Sequence, residues 1–205
     1  MNELSWDDKL HIHTVGRDAS HSDPYHHPYE PTPYCVLQRL AESGWITPDD
    51  YLLDYGCGKG RVPFFLHHTL GCRATGIEYD ETIHKQAVEN ATAYGGTADI
   101  RFLCQPAEQY SLEKETCLYF FNPFSAEILR SVLHKVVDSF YRSPRRIRLF
   151  FYYPDDEYLR LLLTGDSTGL TDEIYFLDEI DCSDLFNTDD PRERIMIFNL
   201  PGYDE

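Results

Sequence analysis

The hydrophobic positions of this 205-residue chain change period along its length, and those changes mark out its elements. Five short apolar runs have the length of strands: Tyr51–Tyr55, Arg73–Glu78, Asp99–Cys104, Thr116–Phe121 and Arg148–Tyr153. The fourth, Thr-Cys-Leu-Tyr-Phe-Phe, is apolar nearly throughout, as a strand covered on both faces of a parallel sheet must be. Between these runs the apolar residues recur at helical spacing over Tyr34–Gly44, Arg61–Leu70, Thr82–Tyr94, Ala126–Tyr141 and Tyr158–Leu163. Pro63 falls in a first helical turn, where it is tolerated, and Gly44, Gly71 and Gly95-Gly96 supply stops. From Ile128 to Phe140 one apolar stripe reads as core and nothing more. Two further strands, Asp172–Leu177 and Arg194–Leu200, have no helical pattern between them and can pair antiparallel, with 178–193 as their loop. The alternation predicts an α/β three-layer sandwich with a mostly parallel seven-stranded sheet, its last strand antiparallel.

Residues 1–33 carry little periodicity but many His, Tyr and Pro, and each proline disfavours helix at the residue before it. They read as an N-terminal arm or lid on one domain spanning 34–205. Within the arm, Tyr29-Glu-Pro-Thr-Pro-Tyr34 suits a flap over a ligand as well as it suits a packing strap. His11, His13, His21, His26 and His27 have no carboxylate or cysteine at matching spacing, so no metal is expected.

The chemistry concentrates in Leu52-Leu53-Asp54-Tyr55-Gly56-Cys57-Gly58-Lys59-Gly60, where an apolar run ends in an acid and three glycines precede a helix. Glycines there let backbone approach a ligand, and free amides are expected to face it. The dinucleotide fingerprint G-x-G-x-x-G would put its third glycine at 61, where Arg61 stands. The spacing is Asp-x-Gly-x-Gly-x-Gly, which resembles the first motif of class I S-adenosylmethionine (SAM) dependent methyltransferases. Glu78 ends the next strand, where a carboxylate can accept from both hydroxyls of a ribose.

That resemblance implies SAM as cofactor. Its methionine part would run along Tyr55, Gly56, Cys57, Gly58 and Gly60 with its amine on Asp54, its ribose on Glu78 and its adenine against Tyr79 and Gln105-Pro106-Ala107. The family often has Asp-Ala at that last turn. Pro106 offers no side-chain acceptor, so the adenine contact falls to Gln105, Glu108 or backbone. Asn122-Pro123-Phe124 resembles the fourth motif of several nitrogen methyltransferases, which makes Asn122 a cofactor neighbour and, with Tyr34, a candidate for holding the acceptor. A nitrogen of a small molecule or protein is the implied target.

Composition narrows the partners. The formal net charge of −17 would repel a phosphate backbone, and residues 155–205 hold fifteen Asp and Glu against three Arg. The one basic cluster, Arg142, Arg145, Arg146 and Arg148, reads as loop charge. Nucleic acid is therefore disfavoured as acceptor. Six scattered cysteines without C-x-x-C spacing point to free thiols in a reducing, cytoplasmic setting, and no membrane span or signal peptide is read. A SAM-binding protein without catalysis and a nicotinamide-dependent oxidoreductase remain as alternatives.

Overall fold

The structure, a computed structural model, describes residues 3–18, 25, 27–96, 98–164 and 173–200. Strands β1 (Tyr51–Tyr55), β2 (Arg73–Glu78), β3 (Ile100–Cys104), β4 (Cys117–Phe120), β5 (Ile147–Tyr152), β6 (Tyr175–Asp181) and β7 (Arg194–Leu200) form a single sheet in the order 3-2-1-4-5-7-6. Pairings among β1 to β5 are parallel, and β7 runs antiparallel to both β5 and β6. The strand order reverses between β1 and β4, which opens a crevice beyond their carboxyl ends.

Alternation within the strands explains the two layers of helix. Leu53, Leu118, Phe120, Leu149 and Phe151 face helices α5 (Ala126–Arg142) and α6 (Asp156–Thr164). Their neighbours Leu52, Tyr119, Phe150 and Tyr152 face α1 (Glu3–Leu10), α2 (Tyr34–Glu42) and α3 (Arg61–Leu70), with α4 (Glu81–Ala93) on the same side. Asp80 caps α4 by accepting from the amides of Thr82 and Ile83, 2.7 and 2.9 Å, and Ser125 caps α5. Among the described residues no helix is long and apolar enough to cross a membrane.

Three expectations need correction. The segment before Tyr34 contains α1, and Trp6, Leu10 and Ile12 enter the core beside Tyr34, Val36 and Phe65. β6 begins at Tyr175 and runs on through Asp178-Glu179, whereas the apolar letters before them had suggested an end at Leu177. It is an edge strand with a register shift between Phe176 and Asp178, and charges at such an edge discourage further pairing. The expected start at Asp172, like His21, Pro24 and His26 of the arm, lies outside the described residues. The supposed loop also holds a one-turn helix, α7 (Ser183–Phe186).

What binds the N-terminal segment to the body is Arg61, 3% exposed. Its guanidinium donates to Thr14 Oγ1 (2.7 Å), to the Thr32 carbonyl (3.1 Å) and to Glu3, lies 3.9 Å from Asp7, and stacks over the Tyr34 ring. Asp7, also buried, accepts from the Thr14 amide and hydroxyl and from the Tyr34 hydroxyl. Removing one partner of such a pair leaves an uncompensated buried charge. Arg61→Met is accordingly expected to cost about 3 kcal/mol of folding stability, while Asp7→Asn with Arg61→Met should cost less than the two single losses added. Urea unfolding measures this, and a single-variant loss below about 1 kcal/mol would contradict the role given to Arg61.

Candidate functional site

The crevice at the strand-order reversal is walled by the ends of β1, β2 and β4, by the turn after β3 and by arm residues 27–32. Asp54, Gly56, Cys57, Glu78, Tyr79, Gln105, Ala107 and Asn122 all line it, so eight of the residues expected from the sequence meet in one place. Each stands at a strand end or in the turn after one, which is where a parallel sheet presents side chains to a common space.

Asp54 is 3% exposed, and no hydrogen bond from the described residues reaches its carboxylate. Burial, and secondarily the charge of Glu78, holds its pKa well above the usual carboxylate range. A buried acid without a protein partner is costly when ionised, and a cation placed beside it removes that cost. Glu78 is fixed differently: one oxygen accepts from the Gly58 amide and the other from the Asp80 amide, each 2.9 Å. Its pKa is also raised, burial outweighing those two bonds. A carboxylate has about four lone-pair sites, so the two backbone donors leave room for a diol.

The glycine turn departs from expectation in one respect. Its amides are not free: Gly56 and Cys57 both donate to the Ile77 carbonyl at 2.9 Å, Gly58 to Glu78 and Gly60 to the Cys57 carbonyl. The turn folds back on β2 tightly enough to satisfy itself. The glycines serve close approach instead. At Gly56 (φ 70°) a Cβ would overlap the Pro123 ring, and at Gly58 (φ 55°) it would overlap the Tyr29 ring. Recognition at this turn is thereby left to Asp54 and Glu78.

Tyr29 closes the turn from above. Its ring covers Gly58, its hydroxyl donates to the Thr14 carbonyl, Lys59 Nζ sits 4.9 Å from its centroid, and its backbone pairs with Asp18. The arm also crosses the turn after β4, where the Pro123 carbonyl accepts from the His27 amide at 3.3 Å and the Ser125 amide donates to Tyr25.

Five expected residues stand elsewhere. Tyr55 is buried in the core, stacked on Phe120 at 5.0 Å. Gly58 and Gly60 are covered and shape the turn from behind, and Pro106 starts the short 3₁₀ turn Ala107–Gln109 without entering the crevice wall. Tyr34 is 1% exposed, stacked on Trp6, with its hydroxyl on Asp7 and its pKa raised by burial and then by that bond. The structure does not bring Tyr34 to the crevice, because the apolar core on the α2 side claims its ring. Asn122 does reach it, held by donation of Nδ2 to the Tyr153 carbonyl (2.7 Å) and a longer contact from the Asp155 amide to Oδ1 (3.3 Å). Of the stretch read as a flap, Tyr29 to Thr32 line the crevice; wall residues that sequence reasoning missed include Tyr119, joined hydroxyl to hydroxyl to Thr32 at 3.1 Å, and Arg61. Only Arg61 had left a signal, as the charge where a third glycine was sought.

Comparison with known proteins agrees with this geometry. Residues 52–145 match a family model described as a methyltransferase domain. A protein-lysine N-methyltransferase of Saccharolobus islandicus (strain REY15A) is 33% identical over 73 residues, 35% of this chain; the chain thus spans under half, 45%, of that relative. Among solved structures, an RNA methyltransferase from Salinibacter ruber in complex with S-adenosyl-L-homocysteine superposes with a TM-score of 0.53 at 21% identity, covering 84% of this chain and 94% of that one. A dimethyladenosine transferase from Plasmodium falciparum gives 0.56 at 16% identity, over 84% and 63%. Residues 52–145 thus match the methyltransferase-domain family, and the sheet order 3-2-1-4-5-7-6 built around them gives the chain the class I methyltransferase fold.

Proposed function

We propose that the chain transfers a methyl group from SAM to a nitrogen acceptor on a small molecule or protein. The observation that carries this reading is the pair of strand-end carboxylates, Asp54 buried with no protein donor and Glu78 pinned by two amides, facing one crevice. SAM carries a positive amine, a positive sulfur and a ribose diol, and these two acids fit such groups. Asp54 would hold the amine and Glu78 the ribose, with Tyr79, Ile77 and Ala107 as apolar wall for the adenine. When bound, SAM supplies a methyl carbon made electrophilic by the positive sulfur to which it is attached. The chain's own contribution is to orient the two reactants and to exclude water, which suits a reaction whose leaving group is neutral.

A nitrogen acceptor is supported by Asn122, which lines the crevice beside the cofactor acids, and by the activity named for the Saccharolobus relative. Charge argues against nucleic acid: the chain carries −17, and Arg145, Arg146 and Arg148 are engaged with the Glu115 carbonyl, Asp50 and the Trp45 carbonyl. A cytoplasmic setting is part of the same reading, supported by six cysteines that all stand free.

Calorimetric titration should show SAM binding and no binding of NADH, and NADH bound in preference would return the site to the oxidoreductases. Glu78→Ala should weaken SAM about 10–100-fold, the worth of a charged hydrogen-bonding partner. Unchanged affinity would remove Glu78 from the ribose.

Asp54 makes a pH test possible. Its folded pKa lies above the ordinary value of about 3.9, so the empty fold loses stability as pH rises from that value through the folded one. A bound cation reverses the shift and releases the proton, so SAM affinity should rise with pH over the same window. Asp54→Asn should flatten that rise, weaken SAM, and raise the melting temperature of the empty protein at pH 8 by roughly 2–4 °C, equivalent to about 1 kcal/mol. A pH-independent wild-type affinity would contradict the assignment.

A further inference from the structure

A second cavity adjoins the crevice on the far side of Asn122, between the ends of β4 and β5 and the arm. Phe121, Tyr152, Tyr153 and Phe186 give it aromatic walls, and Glu30 and Glu193 bring carboxylates to it. His27, Pro28, Glu30, Phe121 and Asn122 line both spaces, which makes Asn122 the neck between them.

The neck is unusually constrained. Asn122 (φ 40°) and Tyr153 (φ 49°) both hold left-handed backbone, though neither is glycine, and the Asn122 carboxamide clamps the Tyr153 carbonyl at 2.7 Å. Such conformations persist only where surrounding structure enforces them. Behind the neck, the buried Tyr152 hydroxyl donates to Glu193 Oε2 at 2.9 Å. Burial and that bond raise the phenol's pKa, so Tyr152 keeps its proton and orients the carboxylate. The cations already present are spoken for: Arg192 lies over the Tyr153 ring and pairs with Asp190 at 2.7 Å, and Arg17 pairs with Glu30 at 3.6 Å, both of them exposed. Such an exposed pair is weak, and it leaves Glu30 available to a better-placed charge.

Ring faces beside carboxylates attract organic cations by charge–quadrupole attraction and charge-assisted hydrogen bonds. We propose that this second cavity is the acceptor subsite and takes a linear alkylammonium group, its stem along Phe121 and Tyr152 and its nitrogen held between Glu193 and the Asn122 carbonyl. The proposal rests on the methyl-transfer reading above and names its substrate class. The ammonium gives a proton to solvent water, the freed lone pair forms the C–N bond as the methyl's C–S bond breaks, and that bonding pair stays on sulfur, which leaves as a neutral thioether.

The test uses the full chain with S-adenosylhomocysteine present and reads binding by calorimetry and product by mass spectrometry with SAM. The probes are n-butylamine, a short peptide with one lysine, and the same peptide with that lysine acetylated. The amine probes should bind at least about tenfold tighter than the acetylated one and gain the methyl on nitrogen. Glu193→Gln should erase about tenfold of that preference, and so should Phe186→Ala, whose exposed side chain leaves the fold intact. A response to butylamine alone supports a free amine, and one to the peptide alone supports a protein lysine. If S-adenosylhomocysteine binds but the acetylated and free lysine peptides bind alike, the subsite is wrong while the methyl-transfer reading stands. If S-adenosylhomocysteine does not bind, both fall.

Discussion

A single buried guanidinium holds the site together. Arg61 begins α3, one residue past the glycine turn, and it reaches back to Thr14, Thr32, Glu3 and Asp7 in the N-terminal segment. A charge so deeply buried is tolerable only when its partners and hydrogen bonds are all in place. Because those partners come from residues 3–32, the segment is drawn down across the crevice, and Tyr29 comes to rest on Gly58. A glycine at position 61 would have no means of doing this. The residue that distinguishes this turn from the dinucleotide fingerprint is also the one that makes the arm part of the wall.

The crevice beneath is governed by desolvation. A parallel sheet sends the ends of β1 and β2 to one rim, and there the chain places Asp54, buried, beside Glu78, partly buried, with both pKa values raised by burial. Since the amides of Gly56, Cys57, Gly58 and Gly60 are taken by Ile77, Glu78 and Cys57, the ligand end of the site is lined chiefly by acids. That favours a positive guest, such as the SAM proposed for it, over a phosphate.

Much of this was legible in the letters. β1, α3 and β2 lie where the apolar runs and the glycine turn put them, to the residue, because parallel strands and helix stops obey local rules. α1 was not legible: Trp6 and Leu10 are too few to make a pattern, and Asp7, a polar letter, is held inside by partners far along the chain. β6 was legible only in its first part, Tyr175–Leu177. Its second half is charged and exposed, and only pairing with β7 makes it a strand. The same limit applied at the site, where Tyr34 looked like a flap residue yet its ring is enclosed by Trp6 and Phe65. Sequence told which acids end strands; it could not tell which aromatic rings the core would claim.

The account turns on which atoms meet Asp54 and Glu78. A crystal structure of the full chain with S-adenosylhomocysteine answers this most directly. It should place the ligand's amine within hydrogen-bonding distance of the Asp54 carboxylate and both ribose hydroxyls on Glu78, with the sulfur pointing toward Asn122. A ligand seated with its adenine on Asp54, or bound outside this crevice altogether, would contradict the account.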